Sequence, residues 1–186
     1  MKFKPFLLLL TMTLLMGLFQ LPHLGYILQW DHQAIISGEW WRIVTGNFTH
    51  TNLYHLIMNI FGLWIIGFIF RAQLESRSLL LIILGISTAI GSLLLLTDLS
   101  LYVGLSGVLH GLFGFYALKE YRSGRQSSLY LVIGLLIKIL WEQNFGSPTG
   151  TQSLIDAPVA LNAHLFGTLS GLILALLTGR KKALIQ

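Results

Sequence analysis

The sequence has no cysteine. That excludes disulfides, thiol nucleophiles, iron–sulfur clusters and cysteine-ligated zinc. Charge is also scarce. Only 10% of the 186 residues are Asp, Glu, Lys or Arg, where a soluble domain carries roughly 25%. Four prolines punctuate the chain, and seven residues are acidic. Apolar residues fill the space, at 54% of the total and a mean hydropathy of +0.73. This is the profile of an all-α, polytopic membrane protein, read as a single domain over 1–186.

Apolar runs fall at 5–21, 53–70, 78–97, 102–118, 128–145 and 158–178. Each is near the ~20 residues needed to cross a ~30 Å hydrocarbon core. Backbone groups in lipid must bond internally, so these runs read as six transmembrane helices. The first run follows Lys2 and Lys4 but lacks a small-x-small cleavage site, which favours an uncleaved helix over a signal peptide. Ten of the 12 Lys and Arg residues fall on one side of this topology. Arg42 stands alone on the other side, and Lys138 lies inside the fifth run. The excess of positive charge is therefore a topology signal, not a nucleic-acid footprint. It places both termini in the cytoplasm. The long outer loop 22–52 holds Ser37-Gly-Glu-Trp-Trp-Arg, the pattern of a short amphipathic helix starting there. Trp40 and Trp41 suit the headgroup layer.

Polar side chains inside a bilayer are costly and point to function. At ~1.5 Å rise per residue, Asn59 lies about 17 Å, Ser106 about 18 Å, His164 about 21 Å and His55 about 23 Å above the cytoplasmic face of the core. Residues from three helices thus reach one layer. His55 and Asn59, four apart, share a helix face. The stretch "VGLSGVLHG" (103–111) surrounds Ser106 with glycine, and "HLFGTLSG" (164–171) does the same below His164. Gly104, Gly107, Gly167 and Gly171 are read as packing residues that let two helices approach closely. A serine and a histidine on those faces form a minimal nucleophile and base. The Ser106 backbone N–H, Asn59 and His55 are candidate donors to an oxyanion.

Together "HLIMN" (55–59), "GLSG" (104–107) and "NAHLFGTLSG" (162–171), with "WWR" (40–42) and "FTHTNLYHLIMN" (48–59), resemble the rhomboid intramembrane serine proteases. The resemblance implies a rhomboid-like bundle of six helices with a catalytic dyad. Ser106 would be the nucleophile and His164 the general base, with His55, Asn59 and the Ser106 backbone as oxyanion hole. It implies no metal and no cofactor. It also implies membrane-anchored protein substrates, cut in a water-filled cavity that opens outward. The setting would be the bacterial inner membrane, with the site on the periplasmic side. At His110 the chain departs from the many bacterial rhomboids that have an aromatic residue there. His110 could stack on His164, supporting it, or rival it as base. "SGVLHG", the compact chain and "LIKILWEQ" resemble the rhombosortase subgroup. Those proteases are thought to process proteins bearing a C-terminal Gly-Gly motif, a transmembrane anchor and a basic tail.

Lys138 and Glu142 are four apart and can pair on the fifth helix. Alternatively, Glu142 or Gln143 faces the substrate. Other function classes stay open at this level. They are a general rhomboid protease with other transmembrane substrates, a small proton-coupled transporter, an inactive rhomboid-like binding protein, and a metalloprotease using His55, His110 and His164. No HExxH motif supports the last.

Overall fold

The computed structural model describes residues 3–147 and 150–178. Lys2, Arg180, Lys181 and Lys182, which carry part of the orientation signal, lie outside the described residues. Among the described residues there are ten α-helices and one two-stranded ribbon. The helices are α1 (Phe3–Leu18), α2 (Pro22–Leu28), α3 (His32–Ile36), α4 (Arg42–Thr45), α5 (Leu53–Ile69), α6 (Ser76–Leu94), α7 (Ser106–Arg122), α8 (Ser128–Phe145), α9 (Thr151–Ile155) and α10 (Leu161–Leu177). The strands are β1 (Trp30–Asp31) and β2 (Leu101–Tyr102), paired antiparallel.

Six helices of 16 to 19 residues stand where the apolar runs were read. Among them, α6 and α8 are by themselves long and apolar enough to cross a membrane. Two bent pairs bring the number to four: α1 with α2, broken by 106°, and Arg42–Phe48 with α5, broken by 92°. The α10 helix is apolar but shorter.

The largest displacement from the sequence reading is in α7. Expected over 102–118, it runs from Ser106 to Arg122. Its start is delayed because Tyr102 is held in β2 and Gly104 takes a φ of +121°, which a side chain would resist. At the other end, Lys119 to Arg122 extend the helix past its apolar stretch. There Arg122 donates to the carbonyls of Ala175 and Thr178 at the end of α10, a favourable place for a cation.

The outer loop also differs. The helix expected from Ser37 starts only at Arg42, after Gly38 at φ +110°. Trp40 and Trp41 are exposed. Arg42 is buried and ties the loop together. It pairs with Glu39 at 2.6 Å and donates to the Tyr26 and Gln29 carbonyls, each at 2.8 Å. Trp30 is wholly buried and donates to the Gly91 carbonyl of α6 at 2.9 Å. The loop is thus a packed layer against α6, and its β1 strand carries β2 into α7.

At the centre, α7 and α10 run parallel with their backbones in contact. A Cβ at Gly167 would strike the Gly107 carbonyl, and one at Gly171 the Gly111 carbonyl. Small residues at that spacing allow such an approach.

Candidate active site

Ser106 is the first residue of α7. The residue four back, Tyr102, lies outside the helix in β2, so the Ser106 backbone N–H makes no intrahelical bond and is one of the donors of a helix N-terminus. The turn before it is held from two sides. Gly104 N–H donates to the Gly46 carbonyl at 3.3 Å, and the Tyr102 hydroxyl donates to the Gly104 carbonyl at 2.7 Å. Tyr102 is wholly surrounded, and burial pushes its phenol well above the ordinary range, so it remains a hydroxyl donor. A Cβ at Gly104 would come within 2.7 Å of the His55 ring. Glycine here therefore serves both the turn and the approach of His55.

On α10, His164 is buried at 6% exposure, and its Nε2 lies 2.9 Å from Ser106 Oγ. On its other side, Nδ1 lies 3.0 Å from Glu142 Oε2 on α8. A carboxylate only accepts, so the Nδ1 proton points at Glu142. Nε2 then presents its lone pair to the serine hydroxyl. Glu142 is 4% exposed, and its other oxygen accepts from Lys138 Nζ at 2.6 Å. The same ammonium donates to His110 Nε2 at 2.8 Å. His110 must then carry its proton on Nδ1, which donates to the Ser106 carbonyl at 2.7 Å. The contacts close a ring from the Ser106 hydroxyl through His164, Glu142, Lys138 and His110 back to the Ser106 carbonyl.

His110 stacks on His164, with ring centres 4.1 Å apart and planes at 19°. Its Nε2 lone pair is taken by Lys138, which leaves it stacking and bonding rather than accepting a proton from Ser106.

The α5 residues form the opposite wall. Asn52 caps the helix through the His55 N–H at 2.9 Å. The Asn59 amide donates to the His55 carbonyl at 3.1 Å, leaving its second N–H. Thr51 Oγ1 donates its single proton to the Ile155 carbonyl of α9 at 2.5 Å and lies 3.1 Å from His55 Nδ1. That nitrogen is therefore the donor, and a neutral His55 ring carries a lone pair at Nε2. His50 packs edge-on against His55 at 5.0 Å. Burial first, and then the neighbouring His55, lower its imidazole to about 3.

A cavity of about 280 Å³ is bounded by Ser106, His164, His55, Asn59 and Glu142. A second, of about 410 Å³, reaches Ser106 from the side of Thr51 and Tyr102. Ile155 of α9 borders both. His110, Glu142 and His164 also form a group able to hold a metal ion, their ligand atoms lying within 4.8 Å of one another. In this structure the Lys138 ammonium already bonds two of the three, and so supplies the positive charge a metal would bring.

The structure brings together Ser106, His164, His110, His55, Asn59 and Gly104, and it places Gly107, Gly167 and Gly171 in the α7–α10 contact. It separates Glu142 from Gln143. Glu142 turns inward to His164, while Gln143 is exposed and donates to the Leu161 carbonyl at 3.1 Å. Thr51 and Tyr102 were not singled out from sequence. The inward turn of Glu142 did leave a signal, because Val132, Leu135, Ile139 and Glu142 follow one helical stripe and all are buried.

Residues 37–181 match the model of the Rhomboid domain family. YdcA of Bacillus subtilis is 28% identical over 156 residues, covering 80% of this chain and 72% of the relative. The rhomboid protease GlpG of Salmonella choleraesuis is 30% identical over 149 residues, again 80% of this chain. The chain spans about half the length of that relative, 52%. GlpG of Salmonella newport gives the same identity and coverage.

Proposed function

Because the chain belongs to the rhomboid family, we propose that it is an intramembrane serine endopeptidase with Ser106 as nucleophile and His164 as general base. The observation that carries this reading is the 2.9 Å contact between Ser106 Oγ and His164 Nε2, within reach of a 280 Å³ cavity. Ser106 Oγ attacks the scissile carbonyl carbon as its proton passes to Nε2. The oxyanion receives the Ser106 N–H and the free Asn59 N–H. His55 joins them in its other tautomer, reached when Nδ1 gives its proton to cavity water and Nε2 takes one from it, with Nδ1 then accepting from the Thr51 hydroxyl at 3.1 Å. The Nε2 proton of His164 then leaves with the amine as the C–N bond breaks. Water attacks the acyl-serine and gives its proton to Nε2, which passes it to Ser106 Oγ as the C–O bond breaks and the new carboxyl terminus leaves.

The six helices of 16 to 19 residues are about 24–28 Å long and serve as six crossings of the bacterial inner membrane. Arg71, Arg77, Lys119, Arg122 and Arg125 lie on the cytoplasmic side, and the site opens to the periplasmic side. The substrates are membrane-anchored proteins. The rhombosortase-like segments "SGVLHG" and "LIKILWEQ" favour those with a C-terminal Gly-Gly motif and a transmembrane anchor.

The test compares secreted and membrane proteins of cells carrying the wild-type chain, Ser106→Ala or His164→Ala. Either substitution should abolish cleavage, a loss of at least ~10⁴-fold for such groups, with the fold retained. New C-termini at Gly-Gly segments in the wild type alone support the rhombosortase specificity, and cuts elsewhere support a general rhomboid. Cleavage that survives Ser106→Ala overturns the serine mechanism.

A further inference from the structure

We propose that Glu142 is a positioning residue that extends the Ser106–His164 pair to a triad. It keeps the His164 proton on Nδ1 and stabilises the imidazolium formed during attack. This rests on the reading of Ser106 and His164 above and goes beyond the two-residue dyad that the family resemblance implies.

Three observations carry it. The Glu142 carboxylate is 4% exposed, on the buried stripe of α8. Its Oε2 lies 3.0 Å from His164 Nδ1 while Nε2 of the same ring meets Ser106 at 2.9 Å, so nucleophile, base and carboxylate are in sequence. A pairing with Lys138 alone would need one carboxylate oxygen, at 2.6 Å, and would not bring the second one to the imidazole. Lys138 has a side chain 47% exposed and could meet Glu142 on the outer flank of α8. Instead its ammonium reaches inward.

During attack, Ser106 Oγ bonds to the carbonyl carbon and its proton passes to His164 Nε2. The Nδ1 proton stays on nitrogen and bonds to the Glu142 carboxylate, which remains ionised throughout. The Nε2 proton then goes to the leaving amine as the C–N bond breaks. Without the carboxylate, the imidazole can hold its proton on Nε2 instead. The ring then donates toward Ser106 and cannot accept its proton. Loss of the wrong-tautomer safeguard costs on the order of 10⁴-fold in a serine protease with an aspartate in this place.

The test uses the full-length protein in detergent with two readouts. One is the rate at which a fluorophosphonate probe labels Ser106. The other is kcat and KM on a membrane-anchored reporter that the wild type cleaves. Glu142→Gln should lower both the labelling rate and kcat by at least about 100-fold, with KM within about threefold. Glu142→Asp should recover part of the loss. The double variant K138M/E142Q removes the ion pair without leaving an unpaired ammonium, and it stands in if the single variant unfolds. It should remain as slow as Glu142→Gln. Wild-type rates in Glu142→Gln, or their return in the double variant, overturn the proposal and leave Glu142 a partner of Lys138 only. A wild-type chain that takes no label, or a Ser106→Ala chain that still cleaves, overturns instead the serine mechanism beneath it.

Discussion

The two faces of α7 differ sharply in how they are packed. Toward α10 the helices touch backbone to backbone, with glycine opposite glycine at Gly107–Gly167 and Gly111–Gly171. Toward α5 and α8 lies an apolar cavity of about 410 Å³ lined by Leu109, His110, Phe113, Leu135 and Lys138 among others. Ser106 and His164 sit on the tight side. His110, Lys138 and Glu142 join them from the edge of the loose side. In the proposed mechanism the Ser106–His164 distance is thus held by a backbone-to-backbone contact. The groups bonded to or stacked on the imidazole, directly or through Lys138, come in from where space remains.

The same substitution on each face tests this contrast. Gly171→Ala drives a Cβ into the Gly111 carbonyl, and neither backbone can yield. It should cost at least about 3 kcal/mol, the upper range for overpacking, and reduce cleavage by parting Ser106 from His164. Thermal melts in detergent and labelling of Ser106 measure both. A smaller effect should come from the border of the two regions. His110→Phe keeps a ring on His164 but loses the bonds to Lys138 and the Ser106 carbonyl. The expected fall in kcat is up to about 30-fold, equivalent to about 2 kcal/mol for the two hydrogen bonds. A fall as large as that of His164→Ala would make His110 the base. The least effect, of opposite sign, should be Gly134→Ala on the loose side. Nothing lies within 4 Å of a Cβ there, and helix propensity favours alanine by up to about 1 kcal/mol. A melt that falls instead would show that the space beside Gly134 is filled in the folded protein in detergent.

Much of the bundle was legible because lipid leaves the backbone few choices. Helices α5 and α8 begin and end within a residue of their apolar runs, 53–70 and 128–145. Their charged flanks and apolar length are local properties. The reading was poorest where a helix outlasts its apolar stretch or starts late, as α7 does at both ends. Hydropathy registers neither the cation bond of Arg122 to the end of α10 nor the positive φ of Gly104. The ordered outer loop was also read too simply, because what holds it is the burial of Trp30 and Arg42 against distant carbonyls.

By itself the sequence determined the residue types available for chemistry. It held a serine and histidines in an apolar chain without cysteine, glycines at the spacing of close helix contact, and an order of motifs similar to the rhomboid proteases. Those facts depend on composition and on spacing along single helices. Only the tertiary structure decided which histidine meets Ser106. His110 is four residues away on the same helix, yet His164, 58 residues away, takes the contact. The i+4 position directs His110 Nδ1 to the Ser106 carbonyl, while the glycine seam brings His164 across to the hydroxyl. The tertiary structure also decided that Glu142 faces the imidazole. Helical spacing could place Glu142 on a buried stripe, but which helix that stripe met depended on how α8 packs against α7 and α10.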